Sequence, residues 1–242
     1  MGLMVKNAII LAGGLGTRLR PVTHEIPKPL VPVQKKPILS HFVTFLEQYG
    51  VERVAVIAAA RDRDDFDKWA RQENESRSKA CIEIFYEEEP SGTFGWLRNL
   101  RDWIGSEPFF FANGDSLMDF DLHTLQKLHM THRPVVSAAL VRIEKPYECD
   151  RPVLENNVVV DIDSSREPKG TNDEVGFVNI GFYLAEPALL DYDDLSRKFL
   201  ITEKDIFPRI IADRKLMAFE MDPGRFYDCG TLERWERAIK EW

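Results

Sequence analysis

Residues 11–32 have the sequence LAGGLGTRLRPVTHEIPKPLVP, and this stretch decides the fold prediction. It follows the apolar run Asn7–Leu11, which is typical of a buried β-strand, so the glycines fall on the turn at the carboxyl end of that strand. Open α/β sheets bind their ligands at this edge. The stretch therefore predicts a ligand-binding loop at the first strand of an α/β sheet.

The residue types in this loop suit a large anion. Gly13, Gly14 and Gly16 let the backbone approach the ligand closely with its N–H groups pointing inward. Arg18 and Lys28 add full positive charge beside it. The loop is interpreted as a cradle for a nucleoside triphosphate.

Two better-known glycine motifs are excluded. The dinucleotide fingerprint G-x-G-x-x-G fails because Leu19 stands at the last glycine, and the phosphate loop G-x-x-x-x-G-K-[ST] is absent. What remains is a glycine turn, Arg18, and Lys28 between two prolines. Because prolines stiffen the backbone, they favour a lysine ammonium held over one point.

Composition predicts an ordinary folded α/β protein. The chain has 242 residues, of which 44% are hydrophobic and 30% charged, and a formal net charge of −8. That charge argues against nucleic acid, whose phosphate backbone requires a basic face. Its three cysteines lack the spacing of a disulfide framework or a zinc site. We expect no membrane segment, no leader and a cytoplasmic location.

The pattern of elements predicts an α/β fold with a doubly wound, mostly parallel, Rossmann-like sheet and some antiparallel strands in the C-terminal half. Strands and helices alternate through the first half, including one helix predicted over Phe94–Ile104. We expect a single domain over residues 1–242, in which residues 1–120 bind the nucleotide. Residues 121–242 would then bind the acceptor and supply the second metal ligand.

Two aspartates are candidate metal ligands. Asp115 follows the apolar run Phe109–Ala112, and Asp228 lies between a short strand and a turn that opens a helix. Their oxygens suit Mg²⁺ bound with a triphosphate. Either aspartate alone would be interpreted as an ordinary turn or capping residue. The five histidines show no Ser-His-Asp or Cys-His pattern and are interpreted as structural or surface residues.

At this point the chain resembles the sugar-1-phosphate nucleotidylyltransferases, which have the nucleotide-diphospho-sugar transferase fold. The family motif G-G-x-G-T-R-L-x-P-x-T-x-x-x-P-K-P-L-x-P-V is present without a gap from Gly13 to Val33. The further matches, in family order, are P-x-G-T at Pro90–Thr93, N-G-D at Asn113–Asp115, the strand Phe177–Gly181 and D-x-G-T at Asp228–Thr231. The chain is similar to compact members that act on hexose, heptose or N-acetylmuramic acid 1-phosphates.

The resemblance implies a role for each matching residue. Arg18 and Lys28 would be catalytic, binding the triphosphate, and Asp115 and Asp228 would bind Mg²⁺. The residues assigned to nucleotide binding are Leu11, Ala12, Gly13, Gly14, Gly16, Thr17, Glu89, Gly92 and Thr93. The residues assigned to the sugar phosphate are Asn113, Lys169 and Asn179. The family's Glu-Lys-Pro is replaced here by the sequence Ser165–Lys169, so either Lys169 or Arg166 would take over the contact with the sugar phosphate, and Lys169 is preferred.

The expected reaction joins a nucleoside triphosphate and a sugar 1-phosphate to give an NDP-sugar and pyrophosphate. One alternative is a cytidylyltransferase for a phospho-alcohol such as phosphocholine, with Phe94, Trp96 and Tyr147 as an aromatic wall. Another is a catalytically silent sugar-nucleotide-binding regulatory protein. The sequence leaves open the base, the acceptor and the oligomeric state, a homodimer being one option.

Overall fold

The computed structural model describes residues 5–76, 79–144, 149–163, 175–221 and 224–242. These residues form two compact units. The N-terminal unit contains the described residues up to Pro90, together with Phe111–Asp119 and Phe226–Trp242. The central unit contains Ser91–Phe110 and the described residues within Phe120–Arg225. The predicted single domain stays a prediction.

The N-terminal unit is built on parallel strands with the order β5-β4-β1-β6. Its elements are β1 (Asn7–Leu11), β2 (Pro32–Val33), β3 (Lys36–Pro37), α1 (Ile38–Gln48), β4 (Arg53–Ala59), α2 (Arg63–Ser76), β5 (Cys81–Glu87), β7 (Ser116–Asp119) and α7 (Leu232–Glu241). Two strands, β6 (Phe109–Asn113) and β13 (Arg225–Asp228), contribute residues to both units. The alternation of strands and helices is the one that the apolar pattern predicts.

The central unit adds antiparallel pairs, with the strand order β6-β11-β8-β12-β10-β9. Its elements are α3 (Gly92–Asn99), α4 (Arg101–Ile104), α5 (Leu122–His132), β8 (Val136–Glu144), β9 (Arg151–Glu155), β10 (Val158–Asp163), β11 (Val175–Ala185), α6 (Phe207–Ala212) and β12 (Leu216–Glu220). Strand β12 pairs with β8 in parallel, whereas β11 with β8, β10 with β12 and β10 with β9 are antiparallel. The predicted α/β fold, mostly parallel with antiparallel strands in the C-terminal half, is confirmed.

Local details differ from the sequence expectation. The helix predicted over Phe94–Ile104 is two helices, α3 and α4, that meet at Leu100. Strand β9 was not predicted. It contains Pro152, which cannot donate to a ladder, and it stands last in the strand order, an edge position that tolerates proline. Among the described residues, no helix is long and apolar enough to span a membrane.

Apolar residues of the motif Gly13–Val33 anchor the loop in the N-terminal unit. Leu19, Val31 and Val33 are fully buried in one cluster with Leu117 of β7 and Ala238 of α7. Fully burying a Leu or Val side chain contributes about 1.5–3 kcal/mol. The charged residues of the loop are therefore attached to a packed support.

His129 forms a buried polar network in the central unit. Its Nδ1 lies 2.8 Å from Ser137 Oγ and its Nε2 lies 3.2 Å from Glu186 Oε1. The sequence analysis did not predict these hydrogen-bond partners for His129. Because His129 and Ser137 are both fully buried, no substrate reaches them, and the network is structural.

This network predicts a pH-dependent stability. Burial lowers the pKa of His129 below its usual 6.5, and the Glu186 carboxylate only partly opposes this. As the pH falls below about 6.5, the unfolded chain takes up a proton that the native His129 does not, so the free energy of unfolding decreases. We expect His129→Gln to flatten the slope of this free energy between pH 7 and pH 5 in denaturant titrations. His123→Gln, at an exposed position of the same helix, serves as the control and should keep the wild-type slope.

Candidate active site

The glycine loop leaves β1 at the predicted strand edge. Ala12 N donates to Ile57 O at 2.7 Å, which joins the start of the loop to β4. A Cβ added at Gly13 would lie 3.2 Å from Glu87 Oε2 and 3.6 Å from Ala59 N, so Gly13 packs closely against the ends of β4 and β5.

Gly16 shapes the second half of the loop. Its φ of 58° lies in the left-handed region that glycine adopts without strain. Thr23 Oγ1 donates to Gly16 O at 2.8 Å and closes the turn. Leu11 ends β1, Ala12 and Gly14 lie in the loop, and Thr17 begins the turn that follows it; their nucleotide-binding roles stay predictions. The exposed Arg18 and Thr17 follow directly in a short 3₁₀ turn.

Lys28 is the most informative side chain of the site. It begins a 3₁₀ turn after Pro27 and is only 7% exposed. Its Nζ donates to Asp115 Oδ2 at 2.6 Å and lies 3.7 Å from Asp228 Oδ1. A nearly buried ammonium requires such partners, because an unpaired buried charge is strongly destabilising. The structure thus brings together three residues that are separated by up to 200 positions in the sequence.

Strand pairing explains why the two aspartates meet. Asp115 directly precedes β7, Asp228 ends β13, and β7 and β13 form a two-stranded sheet. Gly114 N donates to Leu11 O at 2.9 Å, which ties the turn before β7 to the end of β1. The carboxylates therefore lie at the same edge as the glycine loop.

Two arginines complete the charge arrangement. Arg234 Nη1 donates to Asp228 Oδ2 at 2.5 Å. A Cβ added at Gly230 would lie 2.8 Å from Asp228 Oδ1 and 3.3 Å from Arg18 Nη2, so both side chains reach the neighbourhood of Gly230. Lys28 and Arg234 both pair with Asp228, and Lys28 also pairs with Asp115.

Sequence reasoning missed Arg234. Its backbone N donates to Thr231 Oγ1 at 3.3 Å, which places it in the first turn of α7. A positive charge in the first turn of a helix interacts unfavourably with the helix dipole. The position of Arg234 shortly after Asp228 was therefore the available sequence signal that these two side chains form an ion pair. Arg61, whose Nη2 donates to Gly13 O at 3.4 Å, was also missed, because only the fold brings it near the loop.

Glu87 Oε2 lies beside Gly13, whereas Glu89 is exposed beyond the end of β5. The position of Glu87 beside Gly13 is a consequence of the register, which pairs Glu87 with Ala59 at the end of β4. The assignment of base recognition to Glu89 stays a prediction.

Cys229, next to Asp228, takes no part in the chemistry. It is fully buried, and burial, with the neighbouring carboxylates, raises the pKa of its thiol to about 12 against the opposing effect of Lys28. The thiol is therefore protonated at neutral pH and is no nucleophile.

The chemistry of the donor set fits a magnesium nucleotide. The described residues contain no group of three or more His, Cys, Asp or Glu side chains that could hold a metal on its own. Mg²⁺ is usually held by one or two carboxylates, substrate phosphates and waters. Asp115 and Asp228, both partly exposed and converging on one point, match that pattern.

Other predicted residues lie in the central unit. Thr93 Oγ1 accepts from Thr202 N at 2.8 Å and donates to Thr202 Oγ1 at 3.1 Å, so this hydroxyl anchors α3. Gly92, with a φ of 82°, leaves no room for a Cβ, which would lie 2.2 Å from Leu200 O. Packing within the central unit explains the presence of both residues, and their roles in nucleotide binding stay predictions.

The acceptor residues are only partly described. Asn113 ends β6, and Asn179 lies half-buried on β11. Lys169, Arg166 and Tyr147 lie outside the described residues. Phe94 is fully buried in the core, so it cannot contribute to the aromatic wall of the phosphocholine alternative.

The comparisons agree with this geometry. Residues 7–241 match the family model described as nucleotidyl transferase. The chain is 34% identical over 230 residues to mannose-1-phosphate guanyltransferase beta-B of Xenopus laevis and to the mannose-1-phosphate guanylyltransferase catalytic subunit beta of Danio rerio. Each alignment covers 93% of this chain and 61% of the relative, so the chain spans about three fifths of these curated relatives.

A solved structure shows the same fold. HddC from Yersinia pseudotuberculosis, complexed with GMP-PN, superposes with a TM-score of 0.80 at 24% identity, covering 98% of this chain and 99% of that one. The fold, the motif order and the match over nearly the full sequence confirm the predicted assignment, and the chain belongs to the nucleotidyl transferase family.

Proposed function

We propose that the chain joins a nucleoside triphosphate to a sugar 1-phosphate, giving an NDP-sugar and pyrophosphate. The observation that carries this proposal is Lys28, held nearly buried between Asp115 and Asp228 beside the glycine loop and Arg18. This arrangement concentrates positive charge and metal-binding oxygens at one place on an otherwise acidic protein. A sugar 1-phosphate already supplies its nucleophile, a phosphate oxygen, so positioning and charge neutralisation are the main requirements.

In this reaction a phosphate oxygen of the acceptor forms a bond to the α-phosphorus of the nucleotide. The bond from that phosphorus to the oxygen bridging to the β-phosphate breaks, and pyrophosphate leaves with the electron pair. Lys28 and Arg18 neutralise charge on the phosphoryl oxygens, and the backbone of the glycine loop holds the nucleotide. Asp115 and Asp228 would hold Mg²⁺, which would offset charge on the phosphate oxygens of the nucleotide.

The deciding assay is pyrophosphate release across a matrix of nucleoside triphosphates and phosphorylated acceptors, with and without Mg²⁺. The names of the curated relatives make GTP with mannose 1-phosphate the first pair to test. We expect release with at least one sugar 1-phosphate and only with the metal. If pyrophosphate is released only with phosphocholine, the cytidylyltransferase alternative would replace the proposal. The burial of Phe94 disfavours that alternative. Silence in every combination would favour the regulatory protein. The cytoplasmic location and the homodimer stay predictions.

A further inference from the structure

A break in strand β11 redirects Asn179 in the central unit. The register between β11 and β8 shifts between Asn179 and Tyr183, and Gly181 within that shift has a φ of 70°. Gly181 N donates to Asn179 Oδ1 at 3.1 Å. Bulges of this kind redirect a side chain within a strand and are common next to active sites. The backbone itself therefore holds one end of the Asn179 amide.

A buried tyrosine holds the other end. Tyr183 is 2% exposed, and its hydroxyl lies 2.8 Å from Asn179 Nδ2 and 2.9 Å from Glu203 Oε1. Burial and the nearby Glu203 charge raise the pKa of Tyr183 well above its usual value, so the hydroxyl keeps its proton. The Tyr183 hydroxyl donates to Glu203 Oε1, and the tyrosine oxygen accepts from Asn179 Nδ2. This direction fixes which way the amide points.

The side-chain amide of Asn179 has hydrogen-bonding positions that no described residue occupies. Two of its hydrogen-bonding positions are occupied, by Gly181 N and by the Tyr183 hydroxyl. One hydrogen on Nδ2 and one lone pair on Oδ1 have no partner among the residues that the structure describes. A donor and an acceptor on one rigid, half-buried group suit a hydroxyl group, which can both accept and donate.

We propose that Tyr183 and Glu203 are positioning residues, which hold the Asn179 amide so that it contacts a hydroxyl group of the acceptor. The inference rests on the proposed function, since it concerns the sugar phosphate of that reaction. It adds two residues that act through Asn179 and do not themselves touch the acceptor. Supporting hydrogen bonds matter most where the side chain that contacts the ligand could otherwise rotate, as an asparagine amide can.

The main test is Tyr183→Phe, which removes only the hydroxyl and keeps the ring that packs edge-on against Phe207. We expect the acceptor KM to rise about tenfold, the effect of leaving one buried donor without its partner. The KM of the nucleotide and kcat should stay within twofold of wild type, because the contact binds the ground state and transition state alike. Glu203→Gln, which keeps an oxygen for the tyrosine, should have a smaller effect than Glu203→Met.

Tyr192→Phe is the matched control. Tyr192 also belongs to the central unit and also donates to a carboxylate, Asp213 Oδ2, at 2.7 Å. It has no hydrogen bond to Asn179 among those the structure shows, so its acceptor KM should stay at the wild-type value. Melting temperatures of both variants separate a loss of folding from a loss of positioning.

A double-mutant cycle asks whether Tyr183 acts through Asn179. In the Asn179→Ala background, adding Tyr183→Phe should leave the acceptor KM within twofold of its value for Asn179→Ala alone. If the two residues had independent roles, their effects on the acceptor KM would multiply. An acceptor KM near wild type in Tyr183→Phe, a parallel rise of both KM values, or multiplicative effects would each overturn the inference while the proposed function stands. Absence of turnover by the wild-type chain with every acceptor would overturn the proposed function and this inference with it.

Discussion

Lys28→Met is expected to lower kcat about 10³-fold, because it removes a cation that faces both Asp115 and Asp228. Loss of a single preorganised charge-stabilising group commonly lowers kcat by about 10²–10³-fold. Lys28 is nearly buried, so water does not replace its charge. Methionine keeps the apolar stem, which separates the electrostatic effect from a packing effect.

The folded state should survive this change. Both carboxylates remain partly exposed, at 40% for Asp115 and 26% for Asp228, so water relieves much of their repulsion. We expect a loss of stability of about 1–2 kcal/mol, less than for a fully buried pair. Steady-state kinetics and urea unfolding measure the two effects separately.

Lys6→Met is the control for Lys28→Met. Lys6 belongs to the same unit and pairs with Glu52 at 2.9 Å, but it is 59% exposed. Exposed pairs contribute about 0–1 kcal/mol, and nothing places Lys6 near the loop charges, so its kcat should stay at wild type. A Lys28→Met enzyme with more than a tenth of the wild-type kcat would contradict the role assigned to this lysine.

Asp115→Asn and Asp228→Asn are each expected to remove most of the turnover while the protein stays folded. Asparagine keeps the size of the side chain but loses the charge that the metal requires. Each substitution should lower kcat at least about 10²-fold and raise the Mg²⁺ concentration needed for half-maximal rate.

Metal binding can be followed without turnover. Wild-type protein with a nucleotide should gain thermal stability when Mg²⁺ is added, because a ligand bound to the native state stabilises it. That gain should shrink in Asp115→Asn and Asp228→Asn. Asp102→Asn, an exposed position on α4, should behave as wild type. A full thermal shift together with a near-normal rate would reject the metal assignment for that aspartate.

The sequence predicted the part of the site that local patterns encode. Gly16, Lys28 and Asp115 stand at strand ends and turns, and a parallel α/β sheet brings such positions to one edge. The structure shows Lys28 and Asp115 in contact there. The strand alternation, likewise, follows from apolar runs and could be predicted without any three-dimensional information.

The remaining features depend on contacts between distant segments. Glu87 reaches Gly13 only because of the register of β5 on β4, and Arg234 reaches Asp228 only after the first turn of α7 forms. Gly92 is required by the carbonyl of Leu200, more than one hundred positions away. Phe94 was misassigned for the same reason, since aromatic residues in a core and in a ligand pocket have the same sequence pattern.

The pairing of Lys28 with two carboxylates has a consequence for how the site passes between its states. Without nucleotide, Asp115 and Asp228 act as internal counter-ions of the lysine. In the proposed reaction, Asp115 and Asp228 would bind Mg²⁺, and phosphate groups of the nucleotide would take their place at Lys28. Ligand entry would then exchange the partners of Lys28. The charge of this nearly buried lysine would be compensated by carboxylates before the nucleotide binds and by phosphates afterwards.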